Sequence, residues 1–174
     1  LKVLSLSQKI PDEICAFSAG GRFLSVRYGN LLSVWDVDES KVAISPEQGE
    51  AADARSCAFS SDGRFFARGE SGRRLAIYEL PSSAGETVKR LRDWPLPNAQ
   101  PLAALAWAPD NSELALGSDV GSLAVCEALT GQVRWQVECK TRFGGIAWNN
   151  ANSLIAARML LDRVILFRAT DGAE

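Results

Sequence analysis

The stretch "CAFSSDGRF" occupies residues 57–65, and altered copies of it occur three more times in this chain. The copies are "CAFSAGGRF" from residue 15, "LAWAPDNSEL" from residue 105 and "IAWNNANSL" from residue 146. Each copy places an apolar residue, an alanine and an aromatic residue before a polar turn. The aromatic residues are spaced 42, 48 and 41 residues apart and are Phe17, Phe59, Trp107 and Trp148. A repeat of this period indicates an array of similar structural units.

A second landmark follows each aromatic residue after 18 or 19 positions. The landmarks are Trp35, Tyr78, Cys126 and Phe167, and they lie in "LLSVWDV", "RLAIYEL", "SLAVCEA" and "RVILFRA". One and three residues before each landmark stand apolar residues, such as Val34 and Leu32 or Leu166 and Val164. A spacing of two indicates β-strands whose apolar side chains share one buried face. Since turn-forming residues separate the apolar runs, each unit is predicted to be a set of strands joined by tight turns.

The repeated stretches resemble the WD-repeat family. "CAFSSDGRF" resembles its strand–turn segment, and "LSVWDVD" resembles the strand that ends in Trp-Asp. The resemblance extends over the whole chain and implies an all-β propeller segment of four blades, each a four-stranded antiparallel sheet. Residues 1–174 would form one domain or segment. Its approximate blades are 11–50, 51–100, 101–140 and 141–174, and residues 1–10 resemble an outer strand that closes another blade.

The chain departs from the family pattern at its most characteristic positions. Only Trp35-Asp36 keeps the dipeptide, and the other repeats carry Tyr78-Glu79, Cys126-Glu127 and Phe167-Arg168. The chain contains no histidine. The family's buried Asp-His-Ser/Thr-Trp hydrogen-bond network therefore cannot form. We expect the blades to be held together mainly by apolar packing.

The number of blades raises the question of how the ring closes. Four blades would make an unusually tight ring, and an open blade edge invites association. The chain begins at Leu1 and ends in a turn-like segment, so we expect trimmed ends or a longer parent. Two arrangements remain open: a fragment of a roughly seven-bladed parent, or two copies that join into one eight-bladed ring.

Composition favours an ordinary globular protein. The net charge is −2 and 47% of the residues are hydrophobic. No apolar run approaches the roughly 18 residues of a membrane span, and no secretory signal opens the chain. We therefore expect a cytoplasmic or nuclear location and no membrane partner. The four cysteines contain no C-x-x-C pair, so they are expected to be reduced thiols, with Cys15 and Cys57 in the core.

No residue pattern in the chain indicates catalysis. Without histidine, a Ser-His-Asp or Cys-His arrangement is impossible, and neither of the two common phosphate-binding glycine motifs occurs. We expect no enzymatic activity, no catalytic residue, no cofactor and no metal site. The resemblance instead implies a scaffold on which other proteins assemble.

Arginine is the residue type that suggests a binding surface. In WD-repeat propellers, one face is built from the connectors that enter each first strand and from the turns between the second and third strands. Carrying that pattern over by position, the predicted partner-binding residues are Arg27, Arg55, Arg68, Arg73, Arg74, Arg142, Arg158 and Arg163. Arginine forms paired hydrogen bonds with carboxylates and phosphates. The hypothesis is that this face docks an acidic peptide or a nucleic-acid backbone, and the alternative is a solvated rim without a special partner.

Two functions follow from these observations. The first is a non-catalytic scaffold for a multi-subunit complex, whose partners are acidic or peptide segments of proteins and a second copy of the chain. The alternative is a non-catalytic subunit of an RNA-processing or RNA-modifying complex, with RNA contacted by the arginines or through a partner. Two long connectors, 38–54 and 81–100, are expected to be surface loops or partner-binding loops.

Overall fold

The computed structural model describes residues 13–28, 31–45, 56–70, 73–139, 141–159 and 163–174. The outer strand predicted at 1–10 and the candidate Arg55 lie outside the described residues. The side chains of residues 13–15 and 28, and with them that of Cys15, are also outside the description.

The described residues form four antiparallel sheets that follow one another along the chain. Blade 1 contains β1 (Glu13–Phe17), β2 (Phe23–Tyr28), β3 (Leu31–Asp36) and β4 (Lys41–Ile44). Blade 2 contains β5 (Cys57–Phe59), β6 (Phe65–Glu70), β7 (Arg74–Glu79) and β8 (Lys89–Pro95). Blade 3 contains β9 (Leu102–Trp107), β10 (Glu113–Ser118), β11 (Ser122–Glu127) and β12 (Val133–Glu138). Blade 4 contains β13 (Phe143–Trp148), β14 (Leu154–Met159) and β15 (Arg163–Arg168).

The strand order within each blade is the order along the sequence. The first strands of successive blades contact one another, β1 with β5, β5 with β9 and β9 with β13. These strands line the inside of the array, and the later strands lie progressively outward. The predicted all-β, WD-repeat-like propeller with four blades is confirmed, although the fourth sheet has three strands among the described residues.

The turns between the first and second strands use residues that tolerate a left-handed backbone. Gly63 has φ +71° in blade 2, and the equivalent Asn111 and Asn152 have φ 62° and 54°. Glycine and asparagine adopt this conformation at little cost. Gly63 also packs closely on blade 1, because a Cβ there would lie 2.8 Å from the carbonyl oxygen of Ala19. The turn chemistry in the sequence therefore sets the hairpins.

Three apolar clusters fill the spaces between neighbouring blades. Phe23 and Val34 of blade 1 pack with Phe66 of blade 2, and all three are buried. Between blades 2 and 3, Ile77 packs with Trp107 in the second cluster. The third cluster joins blades 3 and 4 in the same way. The middle strands of blades 2 and 3 are buried on both sides, because each of these blades lies between two others.

The expectation of loops over 38–54 and 81–100 was wrong for part of each segment. Residues Lys41–Ile44 of the first segment form β4, which pairs with β3. Residues Lys89–Pro95 form β8, which pairs with β7. Trp94 is buried, and its indole N–H donates to the carbonyl oxygen of Ala128 in blade 3 at 3.1 Å. Trp94 therefore joins blades 2 and 3.

Candidate protein-binding face

Seven of the eight predicted arginines are described, and all lie at one end of the strands. This end carries the turns between second and third strands, where Tyr28 pairs with Leu31 and Met159 with Arg163. We call it the arginine face. Its seven described members are Arg27, Arg68, Arg73, Arg74, Arg142, Arg158 and Arg163. Arg27 is half-buried on β2.

Arg68 belongs to this end of β6 but lies inside the protein. Its side chain is 7% exposed, and its guanidinium contacts Glu70 Oε1 at 2.9 Å. It also donates to the hydroxyl of Tyr78 and to the carbonyl oxygens of Leu32 and Ser45 in blade 1. Arg68 therefore joins blades 1 and 2 and does not contribute an exposed cation to the arginine face.

Glu70 has two further polar partners, and together these residues form a buried network that the sequence analysis did not predict. The Tyr78 hydroxyl donates to Glu70 Oε1 at 2.5 Å, and Arg90 contacts Glu70 Oε2 at 2.6 Å. Burial, followed by the hydrogen bond to Glu70, raises the pKa of Tyr78 to about 12. The expectation that mainly apolar packing holds the blades therefore needs a correction at the boundary of blades 1 and 2, where this network supplies polar contacts. One signal was available, because Arg-x-Glu on a strand places both side chains on the same side.

Besides Arg68, the arginine face has two described arginines that are paired with carboxylates. Arg74 Nε contacts Asp93 Oδ2 at 2.8 Å, and Arg142 Nε contacts Asp119 Oδ1 at 3.1 Å. Hydrogen bonding with Arg74 lowers the pKa of Asp93. These pairs are partly exposed, so they hold local geometry with little net stabilisation.

Three arginines of the face are exposed and have no carboxylate partner among the described residues. Arg73 donates to the carbonyl oxygen of Ala99 at 2.5 Å, and Arg158 donates to that of Gly144 at 2.8 Å. Arg163 begins β15 and is exposed. A guanidinium has five N–H donors, so a single carbonyl contact leaves most of them available. These three residues give the arginine face its positive charge.

On the opposite face of the blades, four arginines lie beside carboxylates. Arg22 contacts the buried Asp36 at 2.8 Å, and Arg64, Arg134 and Arg168 contact Glu79, Glu113 and Asp171 at 3.8, 3.4 and 3.2 Å. Each of these cations therefore has a carboxylate neighbour on its own face. Two grooves open there, about 720 Å³ between blades 1 and 2 and about 320 Å³ between blades 3 and 4. Both are lined by residues of mixed charge.

The described residues give no metal-binding group of three or more Cys, Asp, Glu or His side chains. Cys126 is buried, and burial, with a smaller contribution from the charge of Glu113, raises the pKa of its thiol to about 12. A thiol with a pKa this high is protonated at neutral pH and is a packing residue. Within the described part of the chain, no helix is long and apolar enough to cross a membrane.

The comparisons with known proteins agree with this architecture. No protein-family profile and no curated protein matches the chain. Among solved structures, it is similar to the crystal structure of the β-propeller domain of Cps50 (Swd1) from Myceliophteria thermophila, with a TM-score of 0.70 and 17% identity. The match covers 87% of this chain and 51% of that one, so the chain spans about half the length of that propeller. At this identity, the likeness shows the fold.

The chain therefore has the WD-repeat type of β-propeller fold, which confirms the resemblance of its repeats. The structural comparison returns 1352 solved chains. A fold this widespread hosts many functions and does not by itself select a partner.

Proposed function

We propose that this chain is a non-catalytic propeller scaffold, a subunit of a larger assembly, that binds acidic segments of other proteins through its arginine face. The observation that supports this proposal is a set of exposed arginines that have no carboxylate partner among the described residues, Arg73, Arg158 and Arg163. On the opposite face, Arg64, Arg134 and Arg168 lie 3.8, 3.4 and 3.2 Å from a carboxylate. An acidic peptide would supply carboxylates to these three arginines of the arginine face.

The chemistry of guanidinium favours this kind of partner. Each guanidinium offers two parallel N–H groups to one carboxylate, and such charge-assisted bonds are among the stronger polar contacts. Arg163 is the first residue of β15, and Arg73 directly precedes β7 in the turn from β6. A rigid frame lowers the entropy lost on binding. The face is therefore suited to an extended peptide with several Asp or Glu residues.

RNA is the second candidate for the same face, because phosphates also accept paired bonds from arginine. Proteins that bind single-stranded RNA add aromatic side chains on which the bases stack. Among the described residues, the exposed large hydrophobic side chains include one aromatic residue, Phe17. It ends β1 beside the turn to β2, on the opposite face. This arrangement favours an acidic peptide over RNA.

Binding of a fluorescein-labelled peptide of eight glutamates, followed by anisotropy, tests the proposal. The variant Arg73→Glu/Arg163→Glu should bind about tenfold or more weakly than the unaltered chain, because it removes two charge-assisted contacts. The matched control is Arg64→Glu/Arg134→Glu. It makes the same change in net charge on the opposite face, at side chains that are 65% and 63% exposed.

Equal loss of binding in both variants would show that net charge alone attracts the peptide, and the proposal would fail. An eight-nucleotide RNA serves as the competing probe. Tighter binding of RNA than of peptide, with a steep dependence on salt, would support the RNA function instead.

A further inference from the structure

The smaller groove of the opposite face lies between blades 3 and 4 and has a volume of about 320 Å³. We call it the tryptophan groove, because Trp135 and Trp148 both line it. Three charged side chains, those of Asp110, Glu113 and Arg134, line it as well. A concave surface that combines aromatic rings with a few charged groups has the character of a binding site.

Between blades 2 and 3, the equivalent place is filled by an aromatic pair. Trp107, the equivalent of Trp148, stacks on Phe65 with the ring centroids 6.0 Å apart. In blade 3, the position of Phe65 is taken by Glu113, whose side chain is 18% exposed. Because a glutamate side chain is smaller than a phenylalanine ring, this replacement leaves space beside Trp148.

Trp148 also lacks the hydrogen bond that its equivalent makes. Trp107 donates its indole N–H to the carbonyl oxygen of Ala58 at 3.0 Å. The indole nitrogen of Trp148 is buried and has no hydrogen-bond partner in the described part of the chain. A buried N–H without an acceptor costs free energy and is rare in folded proteins. A ligand oxygen in the groove would satisfy it after a rotation of the ring.

The third strand of blade 3 ends in a carboxylate that has lost its usual cation. In blades 1 and 2, the arginine directly before the second strand contacts the carboxylate that ends the third strand. These pairs are Arg22 with Asp36 at 2.8 Å and Arg64 with Glu79 at 3.8 Å. In blade 3, Ser112 takes the position of the arginine, and the carboxylate is Glu127. Glu127 accepts a hydrogen bond from Thr130 at 2.5 Å and has no basic partner among the described residues.

Glu127 lies directly opposite Glu113 on the paired strands β11 and β10. Their side chains therefore stand beside each other on the side of the sheet that faces blade 4. Arg134 contacts Glu113 at 3.4 Å, and its side chain is 63% exposed. Like charges directly opposite each other destabilise a sheet, so a cation from outside the chain would be favoured here.

We infer that the tryptophan groove binds a basic side chain, lysine or arginine, from an extended segment of another protein. The cation lies between Glu113 and Glu127 and against an indole ring, where cation–π attraction adds to the charge pairing. A backbone carbonyl of the same segment accepts the indole N–H of Trp148. The groove is on the opposite face, so this inference is independent of the proposed function.

An NMR titration of the isotope-labelled chain tests the inference, because each of its five tryptophans gives one indole N–H signal. The probe is a seven-residue alanine peptide with one central arginine and blocked ends. The matched probe carries citrulline, a neutral analogue of the same shape, in place of the arginine. The arginine peptide should shift the signal of Trp148, which Trp148→Phe identifies. It should bind about tenfold or more tightly than the citrulline peptide, since charge-assisted contacts are the stronger ones.

Two charge-removing variants locate the cation site. Glu113→Gln/Glu127→Gln should bind the arginine peptide about tenfold or more weakly than the unaltered chain. Glu79→Gln/Glu86→Gln is the matched control, because it removes two negative charges from the larger groove of the same face. The control should bind the arginine peptide like the unaltered chain.

A third variant tests the shape of the groove. In Glu113→Phe, the new ring should take the place beside Trp148 that Phe65 has beside Trp107. The variant should therefore remain folded in a thermal melt and lose binding of the arginine peptide.

No binding at millimolar arginine peptide, or equal affinity for the arginine and citrulline peptides, would overturn the inference. An equal loss of affinity in Glu79→Gln/Glu86→Gln would also overturn it, because net charge alone would then attract the peptide. Arg73→Glu/Arg163→Glu should bind the arginine peptide no more weakly than the unaltered chain, which separates failure of this inference from failure of the proposed function.

Discussion

The two faces of the blades both carry arginines, but they use them in different ways. On the opposite face, Arg22, Arg64, Arg134 and Arg168 each lie beside a carboxylate of the same face. On the arginine face, Arg74 and Arg142 also have carboxylate partners. Arg73 and Arg158 there contact backbone carbonyls, and Arg163 is exposed at the start of β15. The difference shows that a count of arginines does not identify a binding surface. A binding surface is identified by the groups that each guanidinium already contacts within the protein.

The largest loss of stability is expected from substitution of Arg68, because this residue lies at the arginine face yet is buried. Arg68→Ala would remove the buried charge partner of Glu70, which is 5% exposed, and leave it with Arg90, which is 48% exposed. Breaking a buried ion pair costs about 3–5 kcal/mol. We expect a loss of that size in the free energy of unfolding, measured with urea.

The control for Arg68 removes the whole network. This variant combines Arg68→Leu, Glu70→Ser and Tyr78→Phe. The first two substitutions introduce the residue types of the equivalent positions in blade 3, Leu116 and Ser118. This variant should recover most of the lost stability, because no buried charge remains. A single Arg68→Ala variant as stable as the unaltered chain would show that the network does not join the blades.

Arg22 is the strongest structural contact on the opposite face. It contacts Asp36, whose side chain is 2% exposed, and also donates to the carbonyl oxygen of Pro81. Because Arg22 itself is 18% exposed, Arg22→Ala should cost somewhat less, about 2–4 kcal/mol. Arg64→Ala is the control and should change the free energy of unfolding by less than about 1 kcal/mol.

The pair of Arg22 and Asp36 should also make the free energy of unfolding depend on pH in the acid range. Burial raises the pKa of Asp36, but the hydrogen bond with Arg22, backbone donors and the charge of Arg22 outweigh it, so the pKa is lowered overall. The stability from this lowered pKa is present above the unfolded carboxyl pKa of about 3.9 and is lost as pH falls through the folded pKa. In Arg22→Ala, the folded pKa of Asp36 moves back toward its unfolded value, so we expect a smaller loss of stability as pH falls below about 3.9. An unchanged acid profile would contradict the role of the pair.

Tyr78 gives a smaller effect with a spectroscopic readout. Its raised pKa of about 12 means that the stability it adds is complete below pH about 10 and is lost as pH rises through about 12. Tyrosinate absorbance should show one step near pH 12, and Tyr78→Phe should lack it. The variant should lose about 1 kcal/mol at neutral pH. A single step near pH 10 for both tyrosines would contradict the buried hydrogen bond with Glu70.

The smallest effects on stability are expected from the exposed arginines that carry the proposed function. Arg163→Ala should change the free energy of unfolding by no more than about 0.5 kcal/mol, since its guanidinium is exposed. Its affinity for the glutamate peptide should nevertheless fall. A marked loss of stability would place Arg163 among the structural arginines.

The fold could be predicted from the sequence because the repeat reflects the lengths of the strands and turns. A constant distance between Phe17-type and Trp35-type landmarks is a property of strand and turn lengths, and it survives the loss of the Trp-Asp pair. The apolar pairs one and three residues before each landmark are buried in blades 1 to 3. They are exposed at Val164 and Leu166, because burial depends on a neighbour that a local pattern does not contain.

The candidate site was less predictable. Position in the repeat placed the described arginines at one end of the strands, but it did not separate the buried Arg68 from the exposed Arg163. That distinction depends on Glu70, Tyr78 and Arg90, which converge from three strands. Such convergence is a tertiary property. The Arg-x-Glu spacing on β6 was its only local trace.

Hydrogen exchange with and without the glutamate peptide tests the central claim most directly, because it locates the binding face. When the glutamate peptide is bound, we predict slower exchange in the proteolytic fragments of the protein that contain Arg73, Arg142 and Arg163. Exchange in the fragments that contain Arg64 and Arg134 should be unchanged. Protection confined to the turns of the opposite face, or no protection at saturating peptide, would contradict the assignment of the arginine face as the scaffold's binding surface.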